Sequence, residues 1–432
     1  MTPNPQTYDA VVVGAGIIGC STAWRLAERG LRVGVIEREV GPGLGSTARS
    51  TAIVRQRYTN PAAMALALEG LRTWERWPDL VPPGEGGRRA RLRDVGVLFV
   101  LPAGEPSTAS LFEGMRSVGV AVERLDRAAI ARAFPALRAD HDEPIEALYE
   151  PEGGYVDDPG LATADAARAA VAAGAVFHFG RRLVEVATRW RDGGLQVTGA
   201  RLDDGTSLSS PVLVNCSGPH SGWINLVARS PLALATAPLR QVVVHGRSRS
   251  LGSLPHRRID DPTRGPLPVL ADLTQGFYLR PDPERMRIGA VWPQDETEFL
   301  ADPDAPQGPI DPALTESRLA AARRRIPGLE MEVGDPVVGS YDVTVQDWYP
   351  IVDRTDTRGY FVAIGTSGAW FKAGPVIGDL AARLVAAQLD GRDTDRARLE
   401  VDLPLTGFRF PLALFSRHRT PVVLAYGGGV LG

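Results

Sequence analysis

Residues 8–37 read YDAVVVGAGIIGCSTAWRLAERGLRVGVIE, and the fold turns on this stretch. An apolar, β-branched run from Ala10 to Val13 enters Gly14-Ala15-Gly16-Ile17-Ile18-Gly19. Apolar residues then recur at helical spacing, and a second apolar run ends in Glu37. The order is strand, glycine turn, helix, strand. Each glycine has its own task in such a unit: Gly14 permits the tight turn, Gly16 lets a pyrophosphate approach the backbone at the helix N-terminus, and Gly19 lets helix and strand pack closely. Ile17 and Ile18 belong to the same turn and count with the glycines as cofactor-binding. Glu37, about 20 residues on, falls where a carboxylate takes the ribose hydroxyls, and Arg38 is grouped with it. A carboxylate there repels a 2′-phosphate, so the ligand is FAD or NAD rather than NADP.

The 432 residues, 44% hydrophobic and 23% charged with a formal net charge of −3, suffice for two domains with substantial cores. Neither a basic field for nucleic acid nor an acidic tail is present. No positive n-region precedes the first apolar run and no uninterrupted apolar stretch would span a bilayer, so no integral membrane segment and a cytoplasmic address are expected. Cys20 and Cys216 form neither a CxxC nor a disulfide framework and read as core residues; no metal site is expected.

Residues 41–58, GPGLGSTARSTAIVRQRY, begin as a glycine- and hydroxyl-rich loop able to present N–H and hydroxyl groups to a cofactor, and end with Arg55 and Arg57, of which Arg57 reads as solvated. A helix starts at Asn60-Pro61, and residues 78–87 have linker composition. RLRDVGVLFVLP, from Arg91, reads as one strand opening an inserted second domain. Residues 182–189 and 196–202 read as strands, with Asp203-Asp204-Gly205 as a hairpin turn. The buried strand PVLVNCSG, 211–218, returns the chain to the nucleotide domain. Further strands are expected at 240–246, 276–280 and 285–291, then a helix at 317–325 with a solvated arginine face. A buried strand at 360–365 feeds a helix at 376–389.

VVVGAGIIG with Glu37, GSTARSTAIVRQ, GGYVDDPGL, VNCSGP, GFYLRP and GTSGAWFKAGPVIGDLAARLV come in the order and spacing of the D-amino-acid oxidase-like flavoprotein superfamily. The chain resembles its sarcosine oxidase and glycine oxidase branch over roughly residues 8–401. That resemblance implies an α/β protein in which a Rossmann-like FAD-binding domain carries an inserted antiparallel-sheet (α+β) substrate domain. Residues 1–80, 145–234 and 335–400 are assigned to the first, residues 81–144 and 235–334 to the second, and 401–432 to a C-terminal tail expected to pack on the body. The closing AYGGGVLG is expected to be disordered in isolation. By the same resemblance the cofactor is FAD. Gly14, Gly16, Gly19 and Glu37 match the dinucleotide loop and ribose acid; Gly45, Ser46 and Thr47 match the loop under the isoalloxazine; Leu183 matches the strand packed on adenine; and Gly218 closes the central strand. Gly365, Ser367, Gly368 and Lys372 fall in the segment passing the flavin's pyrimidine edge. Arg55 and Lys372 match the arginine and lysine that hold the substrate carboxylate, Tyr278 matches an active-site tyrosine, and Trp370 is counted with them as catalytic.

Lys372 stands out without any family: it is the sole lysine in a chain with 48 Lys plus Arg. A compact ammonium differs from a planar guanidinium, so a confined site can require it. The departures from the family pattern matter equally. Gly339 stands where covalently flavinylated members carry cysteine, so the FAD is expected to be non-covalent. Arg287 replaces a lysine that assists oxygen, which leaves the electron acceptor open between O2 and another carrier. Val291 replaces a pocket histidine, and with Trp348, Tyr349 and Trp370 this suggests an aromatic-lined pocket for a bulky or cyclic substrate. The expected reaction is oxidation of an amino or imino acid by hydride transfer to flavin N5. The six histidines show no pattern suggesting a base on carbon, although His220 follows the Gly218 turn. Two other readings remain: a flavin-dependent 2-hydroxy acid dehydrogenase, and an FAD-binding subunit of a larger oxidoreductase. The sequence gives no oligomeric state.

Overall fold

The β-branched runs flanking the glycine turn become neighbouring parallel strands, Ala10–Val13 and Val33–Glu37, with Val12 opposite Val35. The helix Ile17–Glu28 crosses between them. Ala10, Val11, Val12 and Val35 are fully buried, because a strand covered on both faces carries a continuous apolar run rather than an alternating one. Leu213–Asn215 and Tyr360–Ile364 extend the sheet in parallel. Val176–Phe179 forms one edge and the antiparallel Ile351–Arg354 the other, giving six strands. The helices Pro159–Ala172 and Gly374–Leu389 pack against Ile17–Glu28. A Cβ on Gly19 would stand 1.9 Å from the Gly14 carbonyl oxygen, so helix and strand meet at a distance only glycine allows. In this computed structural model the described residues are 6–140, 143–258, 265–292, 295, 297–305 and 310–422.

The second sheet has nine strands. Val97–Pro102 lies between the antiparallel Ile145–Glu150 and the parallel Val269–Asp272. Phe277–Arg280, Met286–Ala290 and the long Thr236–Ser248 follow in antiparallel order, and Thr236–Ser248 also pairs with Met331–Val333 and Val337–Thr344. Hydrogen bonding therefore places Ile145–Glu150 and Val337–Thr344 with the substrate-domain strands. Both strands stand at the starts of residues 145–234 and 335–400, the segments assigned from sequence to the FAD-binding domain. The single strand expected from Arg91 divides into Leu92–Asp94 and Val97–Pro102, which join different sheets. The break is at Gly96, whose φ of 71° lies in the left-handed region that other residues avoid.

The helix Pro312–Arg325 was expected to carry only solvated arginines, and at its last residue this is incorrect. Arg325 is fully buried, its Nε 2.6 Å from the equally buried Asp272 carboxylate, and it also donates to the Arg138 carbonyl. The tail packs on the body as expected. Phe410 and Phe415 are fully buried, the Glu69 carboxylate accepts from the backbone N–H groups of Leu405 and Thr406, and Arg419 forms a buried pair with Asp347 at 2.8 Å. The final AYGGGVLG lies outside the described residues. Both cysteines are buried and unpaired, and burial pushes the Cys216 thiol up to about 12.

Removing one member of a buried ion pair leaves an uncompensated charge, so Arg325→Ala is expected to cost about 3–5 kcal/mol in urea unfolding followed by tryptophan fluorescence. Arg323→Ala, on the exposed side of the same helix, is expected to stay within about 0.5 kcal/mol.

Candidate active site

A long cleft runs along the carboxyl ends of the parallel strands, the place where open α/β sheets bind ligands. One part, about 350 Å³, is walled by Gly14, Gly16, Ile17, Ile18, Glu37, Arg38, Gly45, Ser46, Thr47, Gly218, Gly368 and Trp370. A second part, about 600 Å³, includes Leu183 and shares Gly14, Glu37, Arg38, Ser217 and His220 with the first. The residues fit a dinucleotide. Gly14 has φ 100°, and a Cβ there would lie 2.5 Å from the Cys216 carbonyl oxygen. The first turn of Ile17–Glu28 has no side-chain cap, which leaves backbone N–H groups for a phosphate at the positive end of the helix. Glu37 stands at the end of its strand with its carboxylate accepting from Ala15 N–H at 2.6 Å and Glu39 N–H at 2.9 Å.

Four residues grouped with the cofactor do not line the cleft: Gly19, Gly365, Ser367 and Lys372, the last of which lines the smaller pocket described below. Gly19 serves helix packing. Gly365 approaches Thr344, whose Oγ1 would be 2.0 Å from a Cβ at that position. Ser367 turns its hydroxyl inward to the Gly365 carbonyl at 3.1 Å and accepts from Thr344 N–H, so its side chain packs the strand end and does not face the cleft. Arg38 does line the cleft, but its guanidinium is engaged by Asp304 at 2.5 and 2.6 Å and by His220 at 2.9 Å. Burial and then Arg38 hold the His220 imidazole below its ordinary pKa. Asp342, absent from the sequence reading, ties three walls together: its carboxylate accepts from Gly365 N–H at 2.6 Å and from the Ser221 hydroxyl at 2.8 Å, and burial raises its pKa to about 7.

A smaller pocket of about 60 Å³ adjoins the cleft and shares Ser50, Tyr341, Gly368 and Phe371 with it. Arg55, Lys372 and Tyr278 converge there. Arg55 is 4% exposed and Lys372 3%. The Arg55 Cζ lies 4.7 Å from the centre of the Tyr58 ring and the Lys372 Nζ lies 5.2 Å from it, so one aromatic ring serves both cations. Lys372 also donates to the Tyr58 hydroxyl at 3.1 Å and to the Ala369 carbonyl. Burial first, then Arg55, push the Lys372 ammonium well below its ordinary pKa, while Glu150 pulls it up.

The aromatic residues take other places. Trp370 does not line the small pocket. Its ring stacks on Tyr58 at 4.7 Å and meets the edges of Tyr349 and Phe415, a buried wall behind the site. Trp348 and Tyr349 are likewise outside the pocket. Its aromatic walls are Phe99, Tyr278, Tyr341 and Phe371 instead, with Ile53, Val97, Val269 and Ala271 as aliphatic ones. Arg57 is not solvated but fully buried, its Cζ 5.5 Å from the Phe99 ring centre. Arg287 reaches the Ser50 carbonyl at the junction of cleft and pocket. At Gly339 a Cβ would stand 2.6 Å from the Tyr341 ring, which fills the space a cysteine side chain would need. Tyr341 and Glu150 were not singled out from the sequence. Glu150 had no local signal, whereas Tyr341 sits in the SYDVT stretch beside Gly339.

Residues 9–384 match the family described as "FAD dependent oxidoreductase". The chain belongs to that family. FAD is therefore the cofactor of the cleft. The chain is 33% identical over 196 residues to a monomeric sarcosine oxidase of Streptomyces avermitilis, a match covering 43% of this chain and 47% of that protein. It is 24% identical over 386 residues to mitochondrial sarcosine dehydrogenase of Mus musculus, covering 86% and 39% respectively. These matches span less than half the length of either relative. In fold the flavoprotein is similar to L-proline dehydrogenase from P. horikoshii, with a TM-score of 0.76 at 21% identity over 96% of this chain and 98% of that one.

Glu37→Ala removes the acceptor of two backbone N–H groups at the dinucleotide turn. Charge-assisted bonds of this kind contribute about 1.5–3 kcal/mol each, so FAD affinity is expected to fall roughly tenfold to a hundredfold, read by fluorescence titration of the apoprotein.

Proposed function

We propose that this flavoprotein oxidises the carbon–nitrogen bond of a small amino or imino acid, a CH–NH or CH–NH2 donor, held by its carboxylate between Arg55 and Lys372. The observation that carries the reading is the meeting of these two buried cations over one Tyr58 ring, in a pocket that shares four walls with the FAD cleft. FAD, when bound, would supply the two-electron acceptor for the hydride of the substrate's α-carbon, and the substrate would leave as an imine that is the desaturated product or is hydrolysed.

The chain supplies binding and orientation. Arg55 and Lys372 offer the carboxylate charge-assisted hydrogen bonds of about 1.5–3 kcal/mol each, which fixes the α-carbon relative to the cleft. A carboxylate between them also restores to Lys372 the charge that burial opposes. The same positive field lowers the pKa of the substrate's ammonium and so favours the neutral amine that can release hydride. No carbon base is required, and among the described residues no histidine lines the pocket, which disfavours the 2-hydroxy acid reading. A cavity of about 60 Å³ is well below the ~150 Å³ that admits benzene, so compact aliphatic or small cyclic substrates suit it better than bulky ones. The Tyr341 ring over Gly339 supports non-covalent FAD. The two buried, unpaired thiols suit a cytoplasmic address.

Anaerobic stopped-flow against D-, L-, N-methyl and cyclic amino acids and 2-hydroxy acids tests the reading through bleaching of the flavin band. Small amino or imino acids are expected to reduce it, and Lys372→Met to lower kcat/KM roughly tenfold to a hundredfold by loss of one charged bond. The reoxidation rate in air then separates an oxidase from a dehydrogenase. Reduction by hydroxy acids alone would transfer the reading to the dehydrogenase, and reduction by none of these compounds to a subunit of a larger oxidoreductase. Acid precipitation is expected to release the flavin into the supernatant.

A further inference from the structure

Glu150 ends the strand Ile145–Glu150 with no exposed surface. Its carboxylate accepts from Arg57 N–H at 2.7 Å and from Gln56 N–H at 2.9 and 3.1 Å. With its side-chain amide turned to satisfy both partners, Gln56 also donates to Glu150 at 3.1 Å and to the Glu152 carbonyl at 3.2 Å. The carboxylate thus grips the two residues directly after Arg55. Arg55 in turn bends back so that its guanidinium donates to the Arg57 carbonyl, within the same gripped segment. Carboxylate, turn and guanidinium form one mechanical unit.

The unit is electrostatic as well. Arg55 and Arg57 on this segment and Lys372 on the turn Phe371–Ala373 face Glu150, as does the buried Tyr58, whose own pKa burial raises. Glu152, just beyond the strand, is paired outward to Arg72 at 2.6 Å. Burial lifts the Glu150 carboxyl to about 7, against the opposing pull of the two backbone donors and the two guanidiniums.

We propose that Glu150 is the positioning residue of the carboxylate clamp: it holds the turn that carries Arg55 and subtracts one charge from the site, so that its protonation tightens the hold on an anionic substrate. The proposal rests on the reading of Arg55 and Lys372 as that clamp. An anion in the clamp raises the Glu150 pKa above its free value, so affinity is greatest below about pH 7 and falls as pH rises through it. Lys372 gives a dependence of the same sign, since it loses its charge as pH rises. The two are separated by mutating each.

The test titrates the FAD-loaded protein with propionate, a carboxylate with no amine to oxidise, followed by perturbation of the flavin absorbance. Wild-type protein is expected to bind roughly fivefold or more tightly at about pH 6 than at about pH 8, a size typical of coupling between neighbouring charges. Glu150→Gln, uncharged at both, is expected to lose the part of the gradient that Glu150 supplies and to keep only the smaller dependence that Lys372 gives. Lys372→Met is expected to bind more weakly throughout but to keep the gradient. Glu150→Asp, one methylene short of the turn, keeps a titrating group and is expected to retain the gradient while losing roughly tenfold or more in kcat with amino acid substrate. This variant carries the test should Glu150→Gln fail to fold. A wild-type gradient in Glu150→Gln, its loss in Lys372→Met, or wild-type turnover in Glu150→Asp would overturn the proposal. Propionate binding unchanged in Lys372→Met would instead overturn the clamp itself.

Discussion

The constraint around which the rest of this structure is arranged is the burial of an ammonium beside a guanidinium. Isolated buried charges are costly, and two of like sign in one pocket are worse. Lys372 and Arg55 persist there because neutral and anionic groups surround them: the Tyr58 ring and hydroxyl, the Ala369 carbonyl, and Glu150 one layer below. The backbone of Lys372 is held as firmly as its side chain. Trp74 Nε1–H donates to the Lys372 carbonyl at 2.7 Å, and a Cβ on Gly70 would come within 2.3 Å of that oxygen. The helix Pro61–Glu75 is therefore fitted against the turn that presents the lysine, and Gly70 gains nothing in helix propensity for its place. The carboxylate proposed as substrate would add a further anionic partner between the two cations.

From Lys372 the support continues outward to the tail. Tyr58 stacks on Trp370, Trp370 meets the edge of Phe415, and Phe415 packs on Phe410. The tail that carries these phenylalanines is anchored at both ends by buried charge: Glu69 capping the N–H groups of Leu405 and Thr406, and Arg419 against Asp347. A polar group such as the Tyr58 hydroxyl keeps a fixed direction only if its ring cannot tilt, and aromatic rings packed edge and face restrict that tilt. The apolar, aromatic composition of residues 405–420 is thus explained by packing on the back of the site.

The dinucleotide half of the molecule was legible because its signal is local. Strand, glycine turn, helix and acid lie within residues 8–37, and the physics of each glycine acts over a few residues. Lys372 was legible for a different reason, its uniqueness in a chain where arginine carries the other basic positions. Glu150 was not, since its role depends on backbone N–H groups 93 and 94 residues away and nothing in LYEPEGG marks a buried acid. Arg57 was misread because an arginine next to Arg55 in a polar segment looks solvated until the Phe99 strand is laid over it. Trp370 was placed in the pocket by the resemblance of its motif; its neighbours Ala369 and Phe371 do line the pocket, and a one-residue change of direction in an irregular turn is invisible to spacing. The partners of the strands that begin at 145 and 337 were not legible for the same reason: strand pairing is a long-range property.

The pocket walls show how the scaffold sets the small pocket, proposed as the substrate site, apart from the FAD cleft. A single lateral row of the nine-stranded sheet runs Leu148, Phe99, Ala271, Tyr278, Gly289, each opposite the next. From Phe99 onward large and small residues alternate along it. Ala271 leaves space between Phe99 and Tyr278, and a Cβ on Gly289 would lie 2.3 Å from the Tyr278 ring, so the absence of a side chain there is what lets that ring lie down along the sheet. Phe99, Ala271 and Tyr278 line the substrate pocket and none of them lines the FAD cleft. Exchanges of size along this row would alter the pocket while leaving the dinucleotide turn, Glu37 and the Lys372 turn untouched. Among the described residues, only Ser50, Tyr341, Gly368 and Phe371 belong to both spaces. Those four are where a change made for substrate would also be felt by flavin, and Tyr341, standing over Gly339 on a strand of the substrate sheet, is the one whose bulk couples the two most directly.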